Sequence, residues 1–343
     1  NLSKQFIPKL KKLGIPSIMD VDDHWMPNKE HPAYRLVIEK GVDKAILDNL
    51  KVSHYVSTTT PLFADEIKKI NKNVFVLPNA VDPNEKQFKN KTEESDRIRI
   101  GWLGGSSHLA DLQILGNVFS RLDSIKDKIQ VVLCGFDTRG SITEFNNTTG
   151  EEKTRAIKPH ESVWYQYEKL FSNNWSFIDK EHKKFLDKYD FGKEYPNNDT
   201  SYRRVWTKPI TTYASNYNKF DISLAPLKRH KFNQVKSQLK VIEAGFHKKA
   251  LIAQNFGPYQ IDCINAYQHG GTISDKGNSL LVDEVKNHKQ WYQFTKKLVD
   301  NPNLISDLGE RLSEDARDSE VVSVVKAPIE DILHKNLTPN YYR

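Results

Sequence analysis

Residues 98–136 read IRIGWLGGSSHLADLQILGNVFSRLDSIKDKIQVVLCGF, and this stretch decides the fold. The apolar strand IRIGWLG runs into the glycine pair Gly104 and Gly105, and a segment with apolar residues at helical spacing follows. QVVLCGF then forms a second apolar strand. A strand, a crossover helix and a second strand are the unit of a parallel sheet. The stretch therefore predicts an α/β fold with a doubly wound sheet.

The same alternation continues on both sides of this unit. Downstream, DISLAPL, ALIAQ and SLLVD are predicted strands, and VKSQLKVIEAGF and HKQWYQFTKKLVDN are predicted helices. Upstream, the predicted strands are SIMDVDD, HYVSTTT and VFVLPNAVD, and the predicted helices are AYRLVIEKGVDKAILDNLK and PLFADEIKKIN. We therefore expect two Rossmann-like domains, residues 1–92 and 97–325, joined through the polar stretch DPNEKQFKNKTEESDR.

Three features modify this two-domain prediction. The N-terminal half has only three predicted strands and starts at Asn1 rather than at Met, so we expect the first strands of that domain to lie upstream. Residues of about 137–218 interrupt the alternation, which predicts an insertion in the C-terminal domain. Towards its end, YRRVWTKPI is expected to rejoin the Rossmann order, with TTYASNYNKF as the helix before DISLAPL. For residues 326–343, a return of the chain to the N-terminal domain is one interpretation.

Composition and charge restrict the class of protein. The 343 residues are 38% hydrophobic and 28% charged, which is typical of a soluble globular protein, and no apolar run is long enough to cross a bilayer. The two cysteines, Cys134 and Cys263, have no zinc-site spacing, so we expect a reducing cytoplasm. The net charge of +7 suits nucleotides, anionic lipid head groups or nucleic acid, or simply a solvated surface.

The glycine turn is the first candidate binding site. Gly104 and Gly105 follow a strand and precede a helix, where exposed backbone N–H groups favour an anion. Ser106 and Ser107 suit a helix cap or a phosphate contact. His108 would then face the cleft between the domains. The spacing is not GxGxxG, so no dinucleotide site is predicted, and a plain strand–turn–helix with a serine cap is the alternative.

The second candidate is HKFNQVKSQLKVIEAGFHKKALIA, residues 230–253. If a helix spans VKSQLKVIEAGF, then Lys236, Lys240 and Glu243 share one face. Lysines near a helix N-terminus favour a phosphate group. Glu243 lies six residues beyond Ser237, roughly 9 Å along a helix, which is about the distance from a diphosphate to a ribose. A surface helix with an ion pair between Lys240 and Glu243 is the alternative.

Two shorter motifs lie in the N-terminal half. Clustered carboxylates such as those of DVDDHW, residues 20–25, can bind a metal, but this cluster and the phosphate motifs lie in different domains. We therefore expect Asp22, Asp23 and His24 to line the cleft between the domains and to orient an acceptor hydroxyl or act as a base. Capping of the next helix is the alternative. LPNAVDP, residues 77–83, suits a tight turn.

In this order, the four motifs resemble the family 4 and family 1-like glycosyltransferases of the GT-B fold, among bacterial and phage members. LPNAVD resembles the PNGVD segment of that family, with Ala80 in place of glycine, and DISLAPL to ALIA resembles its donor-site block. The resemblance implies that a nucleoside diphosphate sugar, with UDP or GDP, binds to the C-terminal domain. It implies an acceptor bound mainly to the N-terminal domain and no cofactor or metal.

Carried over residue by residue, the resemblance implies a donor site. Glu243 matches the carboxylate that binds the donor ribose. The diphosphate site and its phosphate loop match Lys236, Ser237, Lys240, Gly104 and Gly105, next to Ser106. One departure is Val235, which stands where the family has a glutamate that contacts the donor sugar. The resemblance leaves sugar recognition open, with Lys228, Arg229 or Asn233 as replacement contacts.

The function expected from this resemblance is glycosyl transfer to an acceptor hydroxyl, in polysaccharide or glycoconjugate synthesis and with retention of configuration. Asp23, His24 and His108 are the catalytic candidates on the acceptor side. The expected acceptor is a glycan or a lipid-linked acceptor. The protein is expected to associate peripherally with the inner face of the membrane, and nucleic acid is not an expected partner. Three alternatives are a nucleotide-sugar epimerase, a DNA-modifying glucosyltransferase and a non-catalytic nucleotide- or glycan-binding module.

Overall fold

Parallel sheets with helices packed around them form the described part of the chain, which in this computed structural model is residues 3–145, 149–172, 178–283 and 288–318. The strands are β1 (Ile18–Val21), β2 (Tyr55–Thr58), β3 (Val74–Val76), β4 (Ile98–Leu103), β5 (Ile129–Phe136), β6 (Ser141–Phe145), β7 (Glu152–Ala156), β8 (Tyr202–Trp206), β9 (Ile222–Ala225), β10 (Ala250–Gln254) and β11 (Leu280–Val282). The helices are α1 (Ser3–Lys12), α2 (Tyr34–Lys40), α3 (Val42–Val52), α4 (Pro61–Ile67), α5 (Leu109–Leu112), α6 (Val118–Arg121), α7 (Val163–Ser172), α8 (Lys180–Leu186), α9 (Lys231–Gln234), α10 (Leu239–Phe246), α11 (Tyr259–Asp262), α12 (Lys289–Asp300) and α13 (Pro302–Asp318).

The N-terminal domain is built on a parallel sheet with the order β1-β2-β3. Helix α4 begins at Pro61, and the hydroxyl of Thr60 caps it by accepting a hydrogen bond from the Phe63 backbone amide at 3.2 Å. The single helix predicted over AYRLVIEKGVDKAILDNLK is two helices, because Gly41 has a φ of 60° and ends α2 before α3 begins. The expectation of further strands upstream stays a prediction.

The C-terminal domain is built on a six-stranded parallel sheet with the order β11-β10-β9-β4-β5-β8. The chain leaves β4 towards β5 on one side, and later returns to lay β9 on the other side. This reversal places a crevice at the carboxyl ends of β4 and β9, which is where open α/β sheets bind ligands. The sheet is covered on both faces, and its central strands are therefore buried along their length.

Part of the segment expected to be an insertion belongs to the main domain. Strand β8 pairs with β5 as an edge of the large sheet, and α7 packs against β5 as a crossover helix. Among the described residues of this segment, the antiparallel hairpin β6–β7 and the residues around α8 lie outside the large sheet and its crossover helix. The stretch YRRVWTKPI, expected to rejoin the Rossmann order, contains β8, and glutamates neutralise Arg203 and Arg204 in this buried strand.

The segment that connects the two domains packs against the C-terminal domain. Phe88, in the stretch predicted to be a linker, is buried, and its ring lies 6.2 Å from that of Phe246 on α10. A residue after α9 also joins the domains: Val235 is only 3% exposed and packs in the core of the N-terminal domain. Its carbonyl accepts a hydrogen bond from the Thr60 hydroxyl at 3.2 Å.

No helix in the described ranges is long and apolar enough to cross a membrane. The predicted return of residues 326–343 to the N-terminal domain lies outside the described residues, which end with α13.

Candidate functional site

A cavity of about 430 Å³ lies between the two domains, at the carboxyl ends of the C-terminal strands. Asp22 and Asp23 line it from the N-terminal domain. The other predicted site residues that line it are Gly104, Gly105, His108, Lys236, Ser237, Lys240 and Glu243. Ser106 and His24 are not among its lining residues. Motifs more than 200 positions apart in the sequence therefore meet at one cavity.

The glycine loop at the end of β4 is shaped by two close backbone approaches. A Cβ atom on Gly104 would lie 2.5 Å from the Trp102 ring. Gly135, at the end of β5, has a φ of +99°, and a Cβ atom there would lie 2.3 Å from the Gly104 carbonyl oxygen. Around Gly105 there is open space, as a loop that receives a ligand requires. Gly135 lines the cavity and was missed by the sequence analysis, since a glycine inside an apolar strand carries no local signal of its partner.

The lysine segment differs from its predicted conformation. Helix α9 ends at Gln234 and α10 begins at Leu239, so Lys236 and Ser237 lie in the non-helical segment between them rather than on a helix face. The prediction of one helix from about Val235 was therefore wrong, because the chain leaves the helical path to place Val235 in the core of the N-terminal domain.

Lys240, in the first turn of α10, is held at the floor of the cavity. Its ammonium group donates a hydrogen bond to the Leu103 carbonyl and lies 5.2 Å from the centre of the Trp102 ring. Burial, reinforced by the nearby charge of Lys236, lowers the pKa of Lys240 to about 8. An anion in the cavity would stabilise the charged form of this lysine.

Glu243 is a buried carboxylate one turn further along α10. The hydroxyl groups of Tyr213 and Tyr217 both donate hydrogen bonds to it, the second at 3.1 Å. Burial raises the pKa of Glu243, while the two tyrosines and the Lys240 charge oppose that shift. The tyrosines lie on the 3₁₀ helix Tyr213–Lys219. No local pattern in the sequence indicates these contacts, because the tyrosines lie 30 and 26 positions before Glu243.

His108 forms a buried pair with Asp111 at the start of α5. Its Nδ1 lies 2.8 Å from the Asp111 carboxylate, which in turn accepts hydrogen bonds from the Lys228 backbone amide at 2.8 Å and from Asn233 Nδ2 at 2.7 Å. Burial lowers the pKa of His108 to about 4, so the imidazole is neutral near pH 7. Asp111 was missed by the sequence analysis, although its spacing from His108 in HLAD is a local signal.

The residues of the acidic motif in the N-terminal domain have different surroundings: Asp22 and Asp23 line the cavity, and His24 does not. Asp22 accepts a hydrogen bond from Asn79 Nδ2 at 3.0 Å, and burial raises the pKa of Asp23. His24 is only 6% exposed, stacks on Trp25 at 4.2 Å and accepts a hydrogen bond from the Met26 backbone amide at 3.0 Å. Its position does not support the predicted catalytic role, because the ring packs into the N-terminal domain instead of lining the cavity.

The residues expected to replace the missing glutamate are bonded elsewhere. The Lys228 ammonium pairs with Glu30 at 2.5 Å, and Arg229 donates to the Asn255 carbonyl at 2.9 Å. The Asn233 side chain donates a hydrogen bond to Asp111, the partner of His108. None of these side chains lines the cavity in the described residues. The end of the cavity nearest the N-terminal domain is instead lined by Asp22 and Asp23.

In the described ranges, no cluster of three or more His, Cys, Asp or Glu side chains could hold a metal ion. The expectation that the protein uses no cofactor stays a prediction.

Solved structures show the fold family. HepE of Anabaena, in complex with UDP, is 9% identical with a TM-score of 0.61, and the match covers 96% of this chain and 75% of HepE. Sucrose-phosphate synthase of Thermosynechococcus elongatus is 12% identical with a TM-score of 0.57, covering 96% and 76%. TarM is 14% identical with a TM-score of 0.56; the match covers 94% of this chain but only half of TarM.

No protein-family profile and no curated protein sequence matches the chain. The structural matches define the class: the chain has the two-domain GT-B fold of glycosyltransferases, as its motifs predicted. At sequence identities this low, the matches show that the fold is shared and nothing more.

Proposed function

We propose that the protein transfers a glycosyl group from a nucleoside diphosphate sugar to an acceptor hydroxyl. One observation carries the proposal: a buried carboxylate, Glu243, lies in the same cavity as the open glycine loop and the Lys236 and Lys240 side chains. A carboxylate suits the two ribose hydroxyls, and cations with exposed N–H groups suit a diphosphate. HepE, a structural neighbour, is described in complex with UDP-glucose.

In this proposal the C-terminal domain, residues 97–325, holds the donor, and residues 1–92 hold the acceptor. Lys236, Lys240 and the glycine loop stabilise the charge that develops on the departing diphosphate, so that catalysis comes from positioning and electrostatics. Asp23 faces the cavity with a raised pKa, which suits a group that accepts a proton from the acceptor hydroxyl. The neutral His108 orients substrate hydroxyls. No metal or cofactor is required, and retention of configuration is proposed from the resemblance.

The acceptor we propose is a glycan or a lipid-linked saccharide, in polysaccharide or glycoconjugate synthesis. Helix α1 supports a peripheral contact with an anionic membrane, because it carries Lys9, Lys11 and Lys12 in its last turn. The side chain of Phe6 on this helix, and that of Leu13 just after it, are exposed. Basic residues beside exposed apolar ones are typical of helices that lie on membrane surfaces.

The first test is calorimetric titration of the wild type and of Glu243→Ala with UDP, GDP and their common sugars. We expect one diphosphate to bind the wild type and Glu243→Ala to weaken it by about ten-fold or more, roughly 1.4 kcal/mol, because the variant lacks the acceptor for the ribose hydroxyls. Glu310→Ala is the matched control, since it removes an exposed carboxylate that pairs with Lys248 away from the cavity. Absence of binding at millimolar nucleotide would refute the donor site.

Product analysis separates the alternatives. A product that forms only with an acceptor supports transfer, whereas a changed sugar without acceptor identifies an epimerase. Binding to duplex DNA that weakens steeply with salt would identify a DNA-modifying enzyme. Nucleotide binding with no turnover would leave a non-catalytic module.

The affinity for a nucleoside diphosphate is expected to fall as the pH rises through about 8, where Lys240 loses its proton in the unliganded protein. A bound diphosphate favours the charged lysine, so binding takes up a proton there and is tighter below that pH. Titrations across the pH range, in buffers of different ionisation enthalpy, measure both effects.

Two variants test whether the pH dependence of nucleotide affinity comes from Lys240. Lys240→Met should bind more weakly than the wild type below about pH 8, approach it at higher pH and lose the pH dependence. Lys249→Met should keep it, although burial also lowers the pKa of Lys249 to about 8, because that ammonium donates to Thr92 outside the cavity. The same pH profile in Lys240→Met as in the wild type would contradict the prediction.

A further inference from the structure

Asn216 is a fully buried carboxamide that lines the cavity. Its side chain is 0% exposed, and within the described residues neither its Oδ1 nor its Nδ2 has a hydrogen-bond partner. A buried amide that loses its bonds to water without gaining others destabilises the fold. Such groups are rare in folded proteins, and one that faces a cavity is typically completed by water or by a ligand.

The position of Asn216 relates it to the other site residues. It lies on the 3₁₀ helix Tyr213–Lys219, three residues after Tyr213. Side chains three apart eclipse each other on a 3₁₀ helix, and the rise of three residues is about 6 Å. Tyr213 and Tyr217, which precede and follow Asn216 on this helix, both bond Glu243, so Asn216 lies close to the carboxylate proposed to bind the ribose.

Asn216 and Glu243 line the same cavity as the glycine loop and Lys240, and Asp22 and Asp23 line it from the N-terminal domain. With the diphosphate at the glycine loop and the ribose at Glu243, the group that extends beyond the ribose is the nucleobase.

We propose that Asn216 binds the edge of the donor nucleobase and thereby contributes to recognition of the nucleotide. The inference rests on the proposed function. A carboxamide presents a donor and an acceptor side by side, and so does the edge of a base such as uracil or guanine, which allows two parallel hydrogen bonds. A diphosphate has acceptors only, so it would leave the Asn216 oxygen unpaired. The base satisfies both atoms.

The test compares Asn216→Ala with the wild type in titrations with UDP, GDP and inorganic pyrophosphate. Asn216→Ala is expected to weaken the preferred nucleoside diphosphate by about ten-fold or more, because two hydrogen bonds in a buried site are lost. Its affinity for pyrophosphate, which has no base, stays unchanged. The melting temperature of the unliganded variant does not fall, since the residue removed has no partner in the unliganded protein. Asn216→Asp, nearly the same size, should also weaken the nucleotide.

Asn218→Ala is the matched control on the same helix. The Asn218 carboxamide accepts a hydrogen bond from the Lys91 amide at 2.8 Å and donates one to the Lys89 carbonyl at 3.3 Å. This variant should lose stability and keep its nucleotide affinity. Wild-type nucleotide affinity in both Asn216 variants, or an equal loss of pyrophosphate affinity, overturns the inference and leaves the proposed function standing. Failure of the wild type to bind any nucleotide overturns both.

Discussion

Replacement of Arg204 by alanine is expected to lower the free energy of unfolding by about 3–5 kcal/mol, the largest effect on stability that we predict. Arg204 lies in β8 and donates two hydrogen bonds to the Glu168 carboxylate on α7, at 2.8 and 2.6 Å. Both side chains are buried, and Tyr202 donates a further hydrogen bond to Glu168 at 2.7 Å. Without Arg204, a carboxylate is left in the core without its cation. Chemical denaturation of both proteins measures the difference.

Arg155→Ala is the control for this prediction. Arg155, in β7 of the hairpin, also pairs with a glutamate, Glu161, at 2.8 Å, but solvent reaches both of these groups. Solvent screens exposed pairs, so this variant should unfold almost like the wild type. A double variant, Arg204→Met with Glu168→Leu, should recover much of the loss because no buried charge remains. If Arg204→Ala and Arg155→Ala unfold alike, β8 is not held to α7 by the buried pair.

Gly135→Ala is expected to have the second large effect, which combines lost stability with lost binding. The φ of +99° at this position is strained for any residue with a Cβ atom, at a cost of about 1–3 kcal/mol. The added atom would also lie 2.3 Å from the Gly104 carbonyl oxygen, so the glycine loop must shift. We therefore expect a lower melting temperature and a loss of about ten-fold or more in affinity for the donor diphosphate, measured by thermal denaturation and calorimetry.

Gly140→Ala provides the comparison for Gly135→Ala. The nearest atom to an added Cβ at Gly140 is Ile157 Cγ2 at 3.6 Å, which is ordinary contact. The residue also lies outside the cavity. This variant should keep both stability and binding. Wild-type affinity in Gly135→Ala would show that the glycine loop does not contact the ligand.

The order of elements explains why the candidate site forms where it does. Reversal of strand order at β4 opens a crevice at the carboxyl ends of the C-terminal strands, and the glycine loop and the start of α10 both lie there. The N-terminal domain closes that crevice with Asp22 and Asp23. Val235 ties the lysine segment to the N-terminal domain, so the arrangement of the domains and the position of Lys236 depend on one another.

The sequence alone determined the class of fold and most of the candidate donor site. Strand and helix periodicity are local properties, and they predicted both parallel sheets, including the stretch YRRVWTKPI that contains β8. Local chemistry also predicted that the glycine loop, the lysines and Glu243 belong together, and they line one cavity, although the single helix assumed for the lysine segment was wrong.

Tertiary structure alone decided what surrounds those groups. The tyrosines on Glu243, the open amide of Asn216 and the burial of Val235 in the other domain depend on residues that are distant in sequence. The burial of Arg203 and Arg204 in β8 also depends on distant residues, because Glu168 and other carboxylates neutralise their charges. Burial and pairing are set by the packing of whole elements, and no local pattern encodes which side chain will meet which partner.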